Sequence, residues 1–295
     1  WRVIPVLVNA LAVIFKKPLD VGGPVGLSAT ANIFLGQVEA PLLVRPYLAT
    51  MSKNELLILM TVGMSTIAGS VMVIYTTMLA PIYGLGLIGH FLTASLISVP
   101  AAIMYANMMI PSDTKTEFPA EDSSKMYSST VDAITRGTQS GIDIFLNVAA
   151  MLIVVMALVF LVNAMLGVFP DIQGQPLTME RIVGWIFAPL AWCMGIPWQE
   201  SQAAGELLGV KTILNEFVAY IYLADTSTYV LSEKSSLIML YALCGFANFS
   251  SVGILLSGMS AMVPERREDL IAVSVKALWA ALLASCMTGF IVGIL

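Results

Sequence analysis

Charge is scarce in this chain. Only 11% of its 295 residues are Asp, Glu, Lys or Arg, against about 25% in soluble domains. The net charge of −5 gives no case for nucleic acid as a partner. Histidine occurs once, at His90, and cysteine three times, at Cys193, Cys244 and Cys286, widely spaced in apolar runs. This spacing speaks against a disulfide framework or a Cys/His metal site and leaves three free core thiols. No HExxH, Walker or dinucleotide-binding pattern is present, and no His or Lys is placed by sequence to activate a serine. Enzymatic chemistry and ATP drive are therefore not expected. A cleavable signal pattern is also lacking.

What is abundant is apolar surface: 58% of the residues are hydrophobic and the mean hydropathy is +0.87. The chain reads as an integral, multi-pass membrane protein with the lipid bilayer as its surroundings. Leu56–Ala80, Ile82–Ile110, Ile144–Phe169, Leu237–Val263 and Leu270–Leu295 each meet the roughly 20 residues that a spanning helix needs. The third run has no glycine until Gly167 and is expected to be a straight lipid- or scaffold-facing helix. The 18 methionines read as core and lipid-facing filler, the tryptophans as an interfacial belt, and His90 as a packed or hydrogen-bonded residue rather than a proton relay.

Two carboxylates interrupt this apolar background. One is Glu216 in NEFVAY (Asn215 to Tyr220), and the other is Glu39 in GQVEAPL (Gly36 to Leu42). An ionisable group at membrane depth costs at least about 2.5 kcal/mol on the lenient insertion scales. Gly22 to Tyr47 is broken by Asn32, Gly36, Gln37, Glu39, Pro41 and Arg45, and about ten residues on either side of Gly36-Gln37 rise only about 15 Å as helix. This is the pattern of a re-entrant hairpin, with a second over about Glu200 to Tyr229 whose tip lies near Asn215-Glu216. After each comes a span with a small, polar middle: GMSTIAGSVMVIY (Gly63 to Tyr75) and GFANFSSVGILLSGM (Gly245 to Met259). Either cluster alone would read as small-residue helix packing. The repetition of hairpin then broken helix instead predicts an internal repeat with a midplane binding site. Between the halves, Pro111 to Asp143 is polar enough to leave the membrane, with a short interfacial helix expected over Ser123 to Gly137.

The motifs GVKTILNEFVAY (Gly209 to Tyr220), ANIFLGQVEAPLLVRPYL (Ala31 to Leu48), STIAGSV (Ser65 to Val71) and GFANFSS (Gly245 to Ser251) resemble, in order, those of the concentrative nucleoside transporters. That resemblance implies an all-α polytopic membrane protein of two inverted repeats, each with a re-entrant helical hairpin and a broken transmembrane helix. It implies the following division: 1–19, a scaffold-helix remnant with Trp1 to Phe15 as the end of the family's third helix; 20–110, a first transport half; 111–143, a loop or interfacial segment; 144–172, a long scaffold helix; and 173–295, a second transport half. The family's amino-terminal helices are expected to be missing from this sequence.

The resemblance also implies residue roles. Gln37 and Glu39 match residues that hydrogen-bond the nucleobase, and Val71 an apolar contact beside it. Glu216, Asn248 and Ser251 match groups that hold the ribose hydroxyls, with Phe246 packed near them and Asn215 as a further motif amide. Val38 stands where the family commonly has Thr, which removes a hydroxyl near the base and bears on purine-versus-pyrimidine preference. For the coupling ion, sodium, the matching set is Asn32, Thr66 and the carbonyls of Leu35 and Ile67. Protons are the alternative coupling ion, and no organic cofactor is expected. The resemblance further implies a homotrimer, a nucleoside substrate and a bacterial inner (plasma) membrane. Other readings are a channel or receptor for a polar metabolite, a nucleobase carrier, a hydrolase using Glu39 and Glu216, or purely structural carboxylates paired with Arg45 and Lys211.

Overall fold

The computed structural model describes residues 21–84, 86–112, 114–117, 128–172, 174 and 176–295. The helix expected within Trp1 to Phe15 lies outside the described residues. The first part of the described chain forms α1 (Gly23–Ala31), α2 (Glu39–Leu42), a 3₁₀ turn (Arg45–Tyr47), α3 (Lys53–Ser65), α4 (Gly69–Tyr83) and α5 (Leu87–Met109). The second part forms α6 (Thr130–Leu166), α7 (Met179–Cys193), α8 (Trp198–Ile213), α9 (Glu216–Ala224), α10 (Glu233–Ala242), α11 (Phe249–Met262), a 3₁₀ turn (Pro264–Arg266) and α12 (Arg267–Ile294). Among the described residues, three stretches are long and apolar enough to cross a membrane: Lys53–Tyr83, Leu87–Met109 and Pro264–Ile294.

Local chemistry sets the boundaries. Ser52 and Glu55 form a capping box at the start of α3, each side chain bonding the other's backbone N–H. Glu55 also accepts from the backbone and hydroxyl of Thr116 at 2.7 and 2.9 Å, which ties the polar connection to the base of the bundle. Gly84 and Gly86, at φ 82° and 103°, separate α4 from α5 in a conformation that glycine adopts at little cost. The span expected from Ile82 therefore starts at Leu87.

The expected interruptions are present. α1 gives way to α2 across Asn32 to Val38, and α3 to α4 at Thr66 to Ala68, where Thr66 is extended (φ −116°, ψ 170°). α8 gives way to α9 at Leu214-Asn215, and α10 to α11 across Leu243 to Asn248. At the centre lies α12, packed on α3, α5 and α10 through the buried small residues Ala277, Ala281, Ala284, Ser285 and Gly289. Small residues allow such close helix approach where lipid supplies no hydrophobic drive between helices.

Three expectations need correction. The polar segment holds no separate interfacial helix over residues 128–137: α6 starts at Thr130, and residues 123–127 lie outside the described set. Ser129 caps α6 by accepting from Asp132 N, and Arg136 bonds Asp132 one turn on at 2.8 Å. A solvated polar start can thus run unbroken into the apolar helix expected only from Ile144. Second, α7 was not foreseen. Its backbone touches that of α8, since a Cβ at Gly205 would lie 2.8 Å from Ala188 N. Third, Cys193 is exposed, whereas Cys244 and Cys286 are buried thiols as expected. His90 is hydrogen-bonded, its Nδ1 lying 2.9 Å from the Tyr241 hydroxyl.

Candidate functional site

The site is assembled where the helices break. Asn215 ends its extended stretch by capping α9, its Oδ1 accepting from Val218 N at 2.9 Å. Asn248 does the same for α11, accepting from Ser251 N at 2.7 Å. Both motif amides thus satisfy helix-start N–H groups that would otherwise be orphaned. Glu216 follows Asn215 as the first residue of α9, where the helix dipole favours a carboxylate.

Glu216 is 5% exposed and held from two sides. The Tyr75 hydroxyl donates to Oε1 at 2.8 Å, and Asn248 Nδ2 donates to Oε2 at 3.1 Å. A carboxylate offers about four acceptor sites, so acceptor capacity remains beside these two side-chain donors. A pair of adjacent hydroxyls matches that capacity through charge-assisted bonds. Tyr75 was not foreseen from the sequence. The signal was available: Val71 precedes it by four residues on α4, on the same helix face.

The tip between α1 and α2 packs on three glycines. A Cβ at Gly63 would lie 3.3 Å from Gln37 Cβ, one at Gly69 3.2 Å from Phe34 O, and one at Gly258 2.7 Å from Val38 Cγ1. Gly69 N also donates to Phe34 O at 3.0 Å. The tip therefore touches α3, the break after it, and α11 in the other part of the chain. Gln37 is buried, and its Oε1 receives no hydrogen bond.

Glu39 departs from the expectation of a sequestered carboxylate. It is exposed, and its carboxylate folds back onto Gly36, where an added Cβ would collide with it. No described contact joins Gln37 or Glu39 to the Glu216 cluster. Nor does Glu216 form an ion pair with Lys211 among the described residues: Lys211 Nζ instead donates to Ala242 O at 2.8 Å. Ser251 is buried, while Val71 and Phe246 are half-buried against the core.

Around the first break four oxygens lack described donors. Asn32 is fully buried; its Nδ2 bonds Ser28 O at 3.3 Å, but its Oδ1 has no partner among the described residues. Thr66 Oγ1 donates to Val62 O at 3.1 Å, which leaves its lone pairs open. No described hydrogen bond outside the helices ends on the carbonyl of Leu35 or Ile67. Buried acceptors without donors are rare and call for an explanation. A set of neutral, hard oxygens suits a monovalent cation.

Comparison with known proteins fits this geometry. Residues 90–293 match the family model described as "Na+ dependent nucleoside transporter C-terminus", and residues 1–82 match one described as "Nucleoside recognition". The chain is 34% identical over 298 residues to the nucleoside permease NupC of Helicobacter pylori, covering 99% of this chain and 70% of that protein. It is 39% identical over 287 residues to human solute carrier family 28 member 3, covering 90% of this chain and 40% of the relative. The structure of CNTnw in an inward-facing substrate-bound state superposes with a TM-score of 0.87 at 34% identity, covering 99% of this chain and 69% of that one. These relatives are transporters rather than enzymes. The helical architecture, the apolar spans and the match over nearly the whole chain agree, and the chain belongs to the concentrative nucleoside transporter family of integral membrane proteins.

Proposed function

We propose that this protein imports nucleosides as a secondary active symporter driven by a sodium gradient. The observation that carries the substrate reading is the buried Glu216 carboxylate, steadied by Tyr75 and Asn248 at a helix start. In this reading Glu216, Asn248 and Ser251 take the ribose hydroxyls, with Phe246 beside them and Asn215 shaping the break. Gln37 and Glu39 take the edge of the base, and Val71 packs against its face. The exposure of Glu39 agrees with a tip that opens onto a water-filled path. Val38 gives that path an apolar wall where a threonine would offer a hydroxyl.

Sodium coupling rests on the donor-poor oxygens around Asn32 Oδ1, Thr66 Oγ1 and the Leu35 and Ile67 carbonyls. The regions 20–110 and 173–295 would move together against α6. The apolar side chains of α6 are widely exposed in the single chain, Phe160 at 78% and Ile153 at 71%. Such a surface fits lipid and the neighbouring subunits of a homotrimer. A bacterial inner membrane is the proposed home.

The test is accumulation of radiolabelled uridine by the reconstituted protein in vesicles. Sodium-driven accumulation, competed by nucleosides and not by free uracil, is the expected result. Accumulation driven only by protons keeps a nucleoside symporter and removes the Asn32–Thr66 ion site. Equilibration without accumulation under either gradient means a channel, and the proposal fails.

A further inference from the structure

Lys211 is the one fully buried lysine among the described residues, and neither the substrate reading nor the sodium site uses it. It lies in the last turn of α8, next to the break before Glu216. Its Nζ reaches Ala242 O, the last carbonyl of α10, at 2.8 Å.

All four terminal carbonyls of α10 have donors. Met239 O accepts from Leu243 N at 2.8 Å, and Leu240 O from the Tyr220 hydroxyl at 2.8 Å. Tyr241 O accepts from Cys244 N at 3.1 Å and from Thr288 Oγ1 at 3.1 Å. Ala242 O accepts from Lys211. The ammonium therefore sits against the carboxyl end of α10. Such an end carries about half a negative charge.

The break after α3 is built differently. α1 and α3 also end there, at Ala31 and Ser65, but α1 has no charged residue and those of α3, Lys53 and Glu55, lie in its first turn. Counted back from the helix end, the position matching Lys211 in α1 is Ala29. Here the buried oxygens Asn32 Oδ1 and Gln37 Oε1 lack described donors. The first break thus has two buried side-chain oxygens without described donors, and the second has a buried cation on the last carbonyl of α10.

We propose that Lys211 is a positioning residue that acts as a tethered cation. Its ammonium holds the second break as a bound monovalent ion would, so that only the first break takes its ion from solution. The idea that the first break takes an ion rests on the coupling reading above; the role of Lys211 does not. Shortening the side chain should convert the second break into a site that needs a free monovalent cation.

Two variants test this. Lys211→Ser removes the charge and opens space, whereas Lys211→Met removes the charge and fills the space. Thermal unfolding of each purified protein is followed against sodium and potassium concentration, and uridine uptake against sodium. Lys211→Ser is expected to gain a cation-dependent rise in unfolding temperature beyond the sodium-dependent rise that an ion at the first break gives to wild type and Lys211→Met alike. Its sodium activation of uptake should steepen, with the Hill coefficient moving from about one towards two. Equal behaviour of Ser and Met variants overturns the proposal. So does a Lys211→Ser protein that no monovalent cation restores, or a Lys211→Met protein with wild-type transport. If wild-type uptake ignores sodium altogether, the coupling reading fails, while the unfolding series still decides the role of Lys211.

Discussion

The Tyr75 hydroxyl donates to Glu216 Oε1 at 2.8 Å, and this bond joins the first broken helix to the second break across 141 positions of sequence. Tyr75 is held for the task by rings on three sides: Tyr220 at 4.9 Å between centroids, Phe91 at 6.1 Å and Phe217 at 6.2 Å. Tyr75→Phe keeps that packing and removes only the donor. Loss of a partner to a buried polar group costs about 1–3 kcal/mol, and every 1.4 kcal/mol is about tenfold. Uridine uptake efficiency should fall roughly tenfold to a hundredfold in a protein that still folds and inserts. Unchanged uptake would mean that Tyr75 is only packing.

Glu216→Gln tests the carboxylate itself. The amide keeps the shape but offers one acceptor oxygen in place of two, and its NH2 faces the Asn248 Nδ2 donor that now bonds Oε2 at 3.1 Å. Uptake is expected to vanish while membrane insertion and the unfolding transition persist. A glutamine variant that accumulates nucleoside normally would remove Glu216 from the ribose site.

Much of this site was legible because its chemistry is local. NEFVAY and GFANFSS each carry an Asn that caps the helix following it, and a capping residue is readable from its own neighbours. The breaks were legible for the same reason, from runs of Gly, Ser, Thr and Asn inside apolar spans. What the sequence hides is pairing at a distance. Lys211 sits inside the motif that drew attention to Glu216, and one-dimensional proximity raised an ion pair as an alternative reading. Its bond goes 31 residues onward to Ala242 O, because the end of α10 offers it a carbonyl. Exposure was hidden too: Glu39 and Glu216 have similar sequence surroundings, yet only Glu216 is enclosed, by helices that lie far from it in the chain.

Asn32→Ala removes the unpartnered Oδ1 from the first break. A neutral amide oxygen contributes to cation affinity without a fixed charge, so the sodium concentration giving half-maximal uptake should rise, by about tenfold for a loss of about 1.4 kcal/mol. The maximal rate at saturating sodium should change less. A sodium activation curve that superposes on wild type would take Asn32 out of the ion site.

Gly245 adopts φ 142° and lies where the two broken helices cross, with Ser65 O at 2.8 Å and Ser285 Oγ at 3.0 Å from an added Cβ. Gly245→Ala combines a backbone conformation that L-residues avoid with a contact to backbone that cannot swing aside. It should lower the unfolding temperature more than a substitution at Gly89, where nothing lies within 4 Å of an added Cβ. Equal effects at the two positions would show that the crossing has slack.

Gly258 makes the complementary case, because its neighbour is a side chain. A Cβ there would stand 2.7 Å from Val38 Cγ1 and 3.1 Å from Cγ2, so Gly258→Ala presses on the hairpin tip through one branched residue. Overpacking of this kind costs typically about 1–3 kcal/mol. Val38→Ala removes both offending methyls, so the double variant should recover most of the stability lost by Gly258→Ala alone. The coupling between the two positions, read from unfolding of the single and double variants, should lie in the range of about 0.5–3 kcal/mol seen for touching residues. Because Val38 lies between Gln37 and Glu39, the same pair should alter base preference together, and uptake of a purine against a pyrimidine nucleoside measures that directly. Additive effects on both stability and preference would mean that α11 does not support the tip at Val38.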